Sequence, residues 1–355
     1  MCPESKNKRR RELSYLNVLL CLLVILIHVS SEPVTQLQKG SWQYLAVMLP
    51  WRLSAFAVPC FVFLSGLKLF LNKGNGIDYG KFYLSRFSKI VLPYLLWVAI
   101  YYLYFVRHGY FSFSLPVLLS HMAFGDLVSH LYFIIIIVQF YLLAPLWMAL
   151  VKKLDPKIFI PVSLLLTILC KKFLPDLIPA LSPVGKFPFN DRLFTSWLVY
   201  WISGCYAGLY YENIKKVLIS KRALFIDVFI LFALAETITS YFAFARGAGF
   251  PALEYVHMGY CLTAIPFSLL VFLIFTKKSE RGLRLISDID VSSYLVYLAH
   301  PLTIFIINDK MTQAGISSIG SRFFLRILFA YIVTISLCIF YTKLKKLVLS
   351  HRRII

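Results

Sequence analysis

Residues 13–31 read LSYLNVLLCLLVILIHVSS. Apolar side chains fill most of these positions and none carries a fixed charge. At ~1.5 Å per residue such a helix rises about 28 Å, close to the ~30 Å hydrocarbon core of a bilayer. The basic run KNKRRR (6–11) precedes it. A signal peptide would place a small-residue cleavage site after the apolar run. None follows His28, so the stretch reads as an uncleaved span.

The same pattern recurs along the chain. Its 355 residues are 59% hydrophobic and 15% charged, with a mean hydropathy of +0.75. A soluble domain could not hide that much apolar surface. Candidate spans fall at about 13–31, 53–71, 87–107, 131–150, 157–174, 193–211, 223–244, 259–276, 290–308 and 323–342. The runs are continuous rather than alternating, so helices rather than a β-barrel are expected. The fold class predicted is all-α: a polytopic membrane bundle of about ten helices.

The net charge of +21 does not indicate nucleic acid, because the basic residues sit in short segments between apolar runs. Taking alternate connections, one side carries 24 Lys and Arg and the other 9. The positive-inside bias predicts both termini in the cytoplasm and an even number of spans. The expected organisation is a basic N-terminus (1–12), one membrane domain (13–342) and a basic tail (343–355). The non-cytoplasmic segments 108–130, 175–192 and 245–258 carry Pro, Gly and aromatic residues suited to capping a cavity. Seven cysteines fall mostly inside apolar runs with no metal-type spacing. They read as small hydrophobes, and no metal is expected.

Four stretches hold polar groups where lipid would exclude them. His28 lies about 25 Å along the first helix from Arg11, near its outer end, and Glu32 follows at i+4. A continuing helix would set that carboxylate beside the imidazole and support general-base work, or both groups would simply be wet. In KFYLSRFSKIVLPYLLW (81–97), Arg86 and Lys89 are spaced to share a helix face. They suit either donor phosphates or positive-inside anchoring. His300, in SSYLVYLAHPL (292–302), lies near mid-span ahead of Pro301, which frees a carbonyl the imidazole could satisfy. Gln139, in the aliphatic run 129–146, lines a cavity or bonds a neighbouring helix.

In this order, the stretches resemble the acyltransferase 3 family of integral membrane acyltransferases. ELSYLNVLLCLLVILIHVS (12–30) is similar to that family's first, histidine-bearing span and FAVPCFVFLSG (56–66) to its second. YLSRFSKIVLPYLLW (83–97), HLYFIIIIVQFYLLAPL (130–146), WLVYWISGCYAG (197–208) and SSYLVYLAHPL resemble its later motifs. The layout is most similar to the subgroup acting on bacterial exopolysaccharides, the intercellular-adhesion C type. The resemblance implies a multi-pass protein of the bacterial cell membrane. It would move an acyl group from cytoplasmic acyl-CoA, acetyl-CoA or succinyl-CoA, to a hydroxyl of an extracytoplasmic glycan acceptor. Membrane lipids and a polysaccharide synthase are the implied partners, and nucleic acid is not.

Carried over by position, His28 would be the catalytic histidine, with Glu32 as the partner that its i+4 spacing suggests, while Arg86 and Lys89 would occupy the family's donor-binding Arg-x-x-Arg position, lysine replacing the second arginine. The family places arginine eleven residues before the histidine, where this chain has Asn17. Two rival expectations follow: an exporter of polysaccharide or lipid-linked glycan, and a catalytically impaired homologue.

Overall fold

The computed structural model describes residues 10–71, 77–181, 189–278 and 283–351, and among these it contains helices and no strand. Most of the basic N-terminus, the end of the basic tail and part of the 175–192 segment lie outside the described residues. The chain begins with α1 (Arg11–Gln36), α2 (Trp42–Ser54), α3 (Ala57–Leu71) and α4 (Tyr79–Arg86). A π-helical turn (Phe87–Val91) joins α4 to α5 (Leu92–Arg107). Next come α6 (Leu115–Phe124), α7 (Tyr132–Leu142), α8 (Ala144–Lys153), α9 (Pro156–Leu181) and α10 (Leu198–Leu209). The chain continues with α11 (Tyr211–Ser220) and α12 (Arg222–Ser240), the latter extended by a π turn (Tyr241–Ala245). It closes with α13 (Leu253–Lys278), α14 (Leu283–Gln313) and α15 (Ile319–His351).

Local chemistry sets several of these boundaries. Ser41 caps α2 by accepting from the Tyr44 amide at 3.1 Å, and Asp78 caps α4 by accepting from Lys81 at 3.1 Å. Proline stands in the first turn of α6, where its missing N–H costs nothing.

Among the described residues, eight helices are long and apolar enough to cross a membrane, or nine if the bent pair α7–α8 counts as one span. The pair bends by 63°, where Pro145 cannot donate to the carbonyl a turn earlier. The sixth expected span, 193–211, is corrected. Two 3₁₀ turns, Asn190–Arg192 and Phe194–Trp197, take up its start, leaving the 12-residue α10. That helix rises only about 18 Å.

Two compact units divide the chain: residues 59–214, and residues 1–58 with 215–355. In the 59–214 unit, α10 is buried nearly throughout. Trp201 stacks on Phe140 with centroids 4.4 Å apart, and the Tyr206 hydroxyl donates to the Leu154 carbonyl at 2.8 Å. Gly66 of α3 faces Gly204 and Gly208 of α10, four residues apart. A Cβ at Gly204 would overlap the Phe63 carbonyl, one at Gly208 the Leu67 carbonyl, and one at Gly66 would come 2.6 Å from the Trp201 carbonyl. Small residues at i, i+4 let helix backbones meet this closely. Gly204→Val must therefore push backbone against backbone, an overpacking cost of about 1–3 kcal/mol or more. The expected result is a several-fold lower yield of monodisperse protein in size-exclusion chromatography. A wild-type yield and melting temperature would refute the close packing.

In the other unit, α1 is the central helix. Cys21, Ile25 and Val29 of α1 pack with Val296 and Ile304 of α14 and with Ala330 and Cys338 of α15. Tyr331 donates to the Leu22 carbonyl at 2.8 Å, and Thr334 to Thr303 at 2.9 Å. Large apolar side chains such as Leu231 and Leu234 of α12 and Ile332, Leu337 and Phe340 of α15 are exposed. This is the outward face that hydrocarbon requires.

Contact order along these helices fixes their directions. Asn17 of α1 meets Asp290 of α14, and His28 meets His300, so α1 and α14 run parallel. Asp288 pairs with Lys343 and Thr303 with Thr334, so α15 returns antiparallel. The start of α1 and the end of α15 thus lie at the same end of this unit. Five of the six described cysteines are buried, and Cys170 is partly so.

Candidate functional site

Along α1, polar residues form three stations, each served by α14 or α15. At the first, Asn17 donates through Nδ2 to Asp290 Oδ1 at 2.7 Å and to Ser293 Oγ at 2.9 Å. Ser14 donates to the other Asp290 oxygen at 2.8 Å. The amide thus offers Asp290 hydrogen bonds without bringing a countercharge.

The second station lies about 17 Å further along α1. Half-buried His28 faces fully buried His300, with ring centroids 5.0 Å apart and planes inclined by 51°. His300 Nδ1 lies 3.1 Å from the Val296 carbonyl. A carbonyl only accepts, so Nδ1 carries a proton and donates it to Val296. The helical hydrogen bond lost at Pro301 belongs to the same turn.

One turn beyond His28, Glu32 makes the third station. Its two carboxylate oxygens are engaged by arginines of α15: Oε2 by Arg326 Nη2 at 2.6 Å and Oε1 by Arg322 Nε at 3.4 Å. The carboxylate that i+4 spacing sets near the imidazole is thus the partner of a distant helix.

Arg86 and Lys89, in the other unit, do not share one environment. The π turn between them makes i→i+5 bonds, and its wider turn changes the angle that i, i+3 spacing implies. Arg86 is half-buried, its guanidinium 5.0 Å from the Phe82 ring and 4.7 Å from the Tyr141 ring. Lys89 is exposed. Gln139 spends both ends of its amide within that unit. Nε2 donates to the Arg192 carbonyl at 2.7 Å and Oε1 accepts from the Phe194 amide at 3.1 Å, tying α7 to the 3₁₀ turns before α10.

A buried ionic cluster joins α2, α12 and α13 in the His28 unit. Glu236 is fully buried, and its Oε1 accepts from Arg52 Nε at 2.6 Å, from His257 Nδ1 at 2.8 Å and from Ser240 at 3.4 Å. Arg52 also reaches Glu254 at 3.3 Å, and the far nitrogen of His257 lies 3.5 Å from Cys261 Sγ. Sequence reasoning passed over this cluster because Arg52 and Glu236 sit 184 residues apart. The usable signal was Glu236 itself, an acid inside an apolar run that must find a buried partner.

Comparisons with known proteins place these residues in context. A family model described as an acyltransferase domain matches residues 10–343. A Staphylococcus aureus protein named as a probable poly-beta-1,6-N-acetyl-D-glucosamine export protein is 24% identical over 349 residues, covering 94% of this chain and 92% of its own. A Staphylococcus epidermidis protein of the same name is 25% identical over 308 residues, covering 83% and 81%. No solved structure matches.

Proposed function

This multi-pass chain belongs to the acyltransferase 3 family, and from that premise we propose that it O-acylates a cell-surface polysaccharide or related glycan, using acyl-CoA. The observation that carries the reading is half-buried His28 set against fully buried His300, in a chain matched by the family model almost end to end. His28 takes the proton of a sugar hydroxyl as its oxygen attacks the thioester carbonyl. The C–O bond forms, the C–S bond breaks, and the proton passes from the imidazolium to the departing CoA thiolate. His300, its Nδ1 committed to a backbone carbonyl, positions the His28 ring. Acetyl and succinyl are the proposed acyl groups. Arg86 and Lys89 are proposed as ligands for the donor's phosphates, on their charge and their cytoplasmic-side position in the sequence.

The imbalance of 24 basic residues against 9 supports a cytoplasmic location for both termini in a bacterial cell membrane. His28 then lies toward the outer side, where a glycan acceptor arrives from a polysaccharide synthase. The names of the relatives favour one second reading, polysaccharide export. One experiment separates the two. Purified protein in liposomes receives isotope-labelled acetyl-CoA or succinyl-CoA and an oligosaccharide acceptor. Label on the acceptor supports acyl transfer. Acceptor crossing the bilayer unmodified, with no dependence on acyl-CoA, overturns it in favour of export.

A further inference from the structure

We infer that Arg322 and Arg326 form an oxyanion-binding subsite one helical turn from His28, reading a carboxylate or phosphate group on a substrate. This rests on the acyl-transfer reading. Arg326 is only 1% exposed, in a helix long and apolar enough to span the membrane. Among the described residues its guanidinium has one ionic partner, Glu32, and its Nε has no hydrogen-bond partner. Arg322 shares that same carboxylate and spends Nη1 on Thr312 Oγ1 at 3.3 Å and the Ile316 carbonyl at 3.1 Å.

Two guanidiniums against one carboxylate leave an excess positive charge in a buried place. Burying an uncompensated charge is strongly unfavourable, so a bundle meant only to clasp α1 to α15 would have no use for the second arginine. An arriving oxyanion removes the excess and gives the Arg326 Nε–H its acceptor, and a planar guanidinium suits carboxylate and phosphate alike. Glu32 already neutralises one charge, which tunes the site for a single anionic group. The position sets the reach. Glu32 is at i+4 from His28, about 6 Å along α1 on nearly the same face. A substrate whose reacting carbon or hydroxyl sits at His28 can therefore lay an anionic substituent on the arginines.

The ligand has two sources, the far carboxylate of a dicarboxylic acyl group or an acidic substituent on the glycan, and the experiment separates them. Full-length reconstituted protein is assayed with succinyl-CoA against acetyl-CoA, and with a phosphorylated against an unmodified oligosaccharide. In Arg326→Met, the charged-to-neutral ratio of kcat/KM should fall at least about tenfold relative to wild type. A fall confined to the donor pair assigns the acyl group, and one confined to the acceptor pair assigns the glycan. Arg326→Lys, which keeps the charge without the fork, should fall between. Equal losses with charged and neutral partners, or no loss, overturn the subsite.

A second readout does not need catalysis. Succinate or inorganic phosphate should raise the melting temperature of wild-type protein more than that of Arg326→Met. An equal response in the two also overturns the subsite. Wild-type protein that transfers no acyl group yet shows this anion effect would instead fault the acyl-transfer reading.

Discussion

His28→Ala is expected to lower acyl transfer to the acceptor by about 10²–10⁴-fold while leaving the amount of folded protein in the membrane near wild type. General-base catalysis contributes about that factor, and the His28 ring lies 5.0 Å from that of His300. The half-buried position of His28 matters for the second half of the expectation. Alanine there removes a half-buried ring, not one of the fully buried side chains packed around Ile25 and Val29. The check is the rate of label transfer per mole of monodisperse protein. A variant as fast as wild type would remove His28 from the chemistry.

Glu236→Ala should have the largest effect on stability. The substitution strands the Arg52 Nε–H and the His257 ring nitrogen that now converge on Oε1. Breaking a buried ion pair from one side typically costs about 3–5 kcal/mol, because the remaining charge stays buried without its counterion. Glu254 relieves part of this, since Arg52 already reaches it, but its carboxylate is largely exposed. A drop in the melting temperature on the order of 10 °C is expected in detergent. Glu236→Gln keeps an oxygen to accept one of the two bonds and should fall between alanine and wild type. If alanine melts with the wild type, the cluster does not hold α2, α12 and α13 together.

The legible parts of this molecule were those governed by local rules. Long apolar runs mark the spans because hydrocarbon admits no other helical surface, and nine of the ten runs are occupied by long helices or the bent pair. The exception, 193–211, mixes Ser, Thr, Gly, Trp and Tyr into its apolar run. Its start is diverted by long-range bonds from Gln139 to Arg192 and Phe194, which no window over that segment contains. Glu32 teaches the same lesson at the site. Spacing places it near His28, but its ionic partners arrive from α15, some 290 residues later. Arg86 and Lys89 differ for a local reason still hidden in composition, since a π turn is not announced by residue type. His300 was visible as a mid-span imidazole. That it meets His28 follows only from the parallel packing of α1 and α14.

The interior placement of sulfur provides an experimental handle. Because the described cysteines are withdrawn from the surface almost completely, a membrane-impermeant maleimide meets a nearly silent background once Cys2 is changed to serine. A single cysteine at exposed Ala248 or Ala314 then reports which compartment each loop faces. The side on which His28 works can thus be read in intact cells, without rebuilding the packed core that the native thiols help to fill.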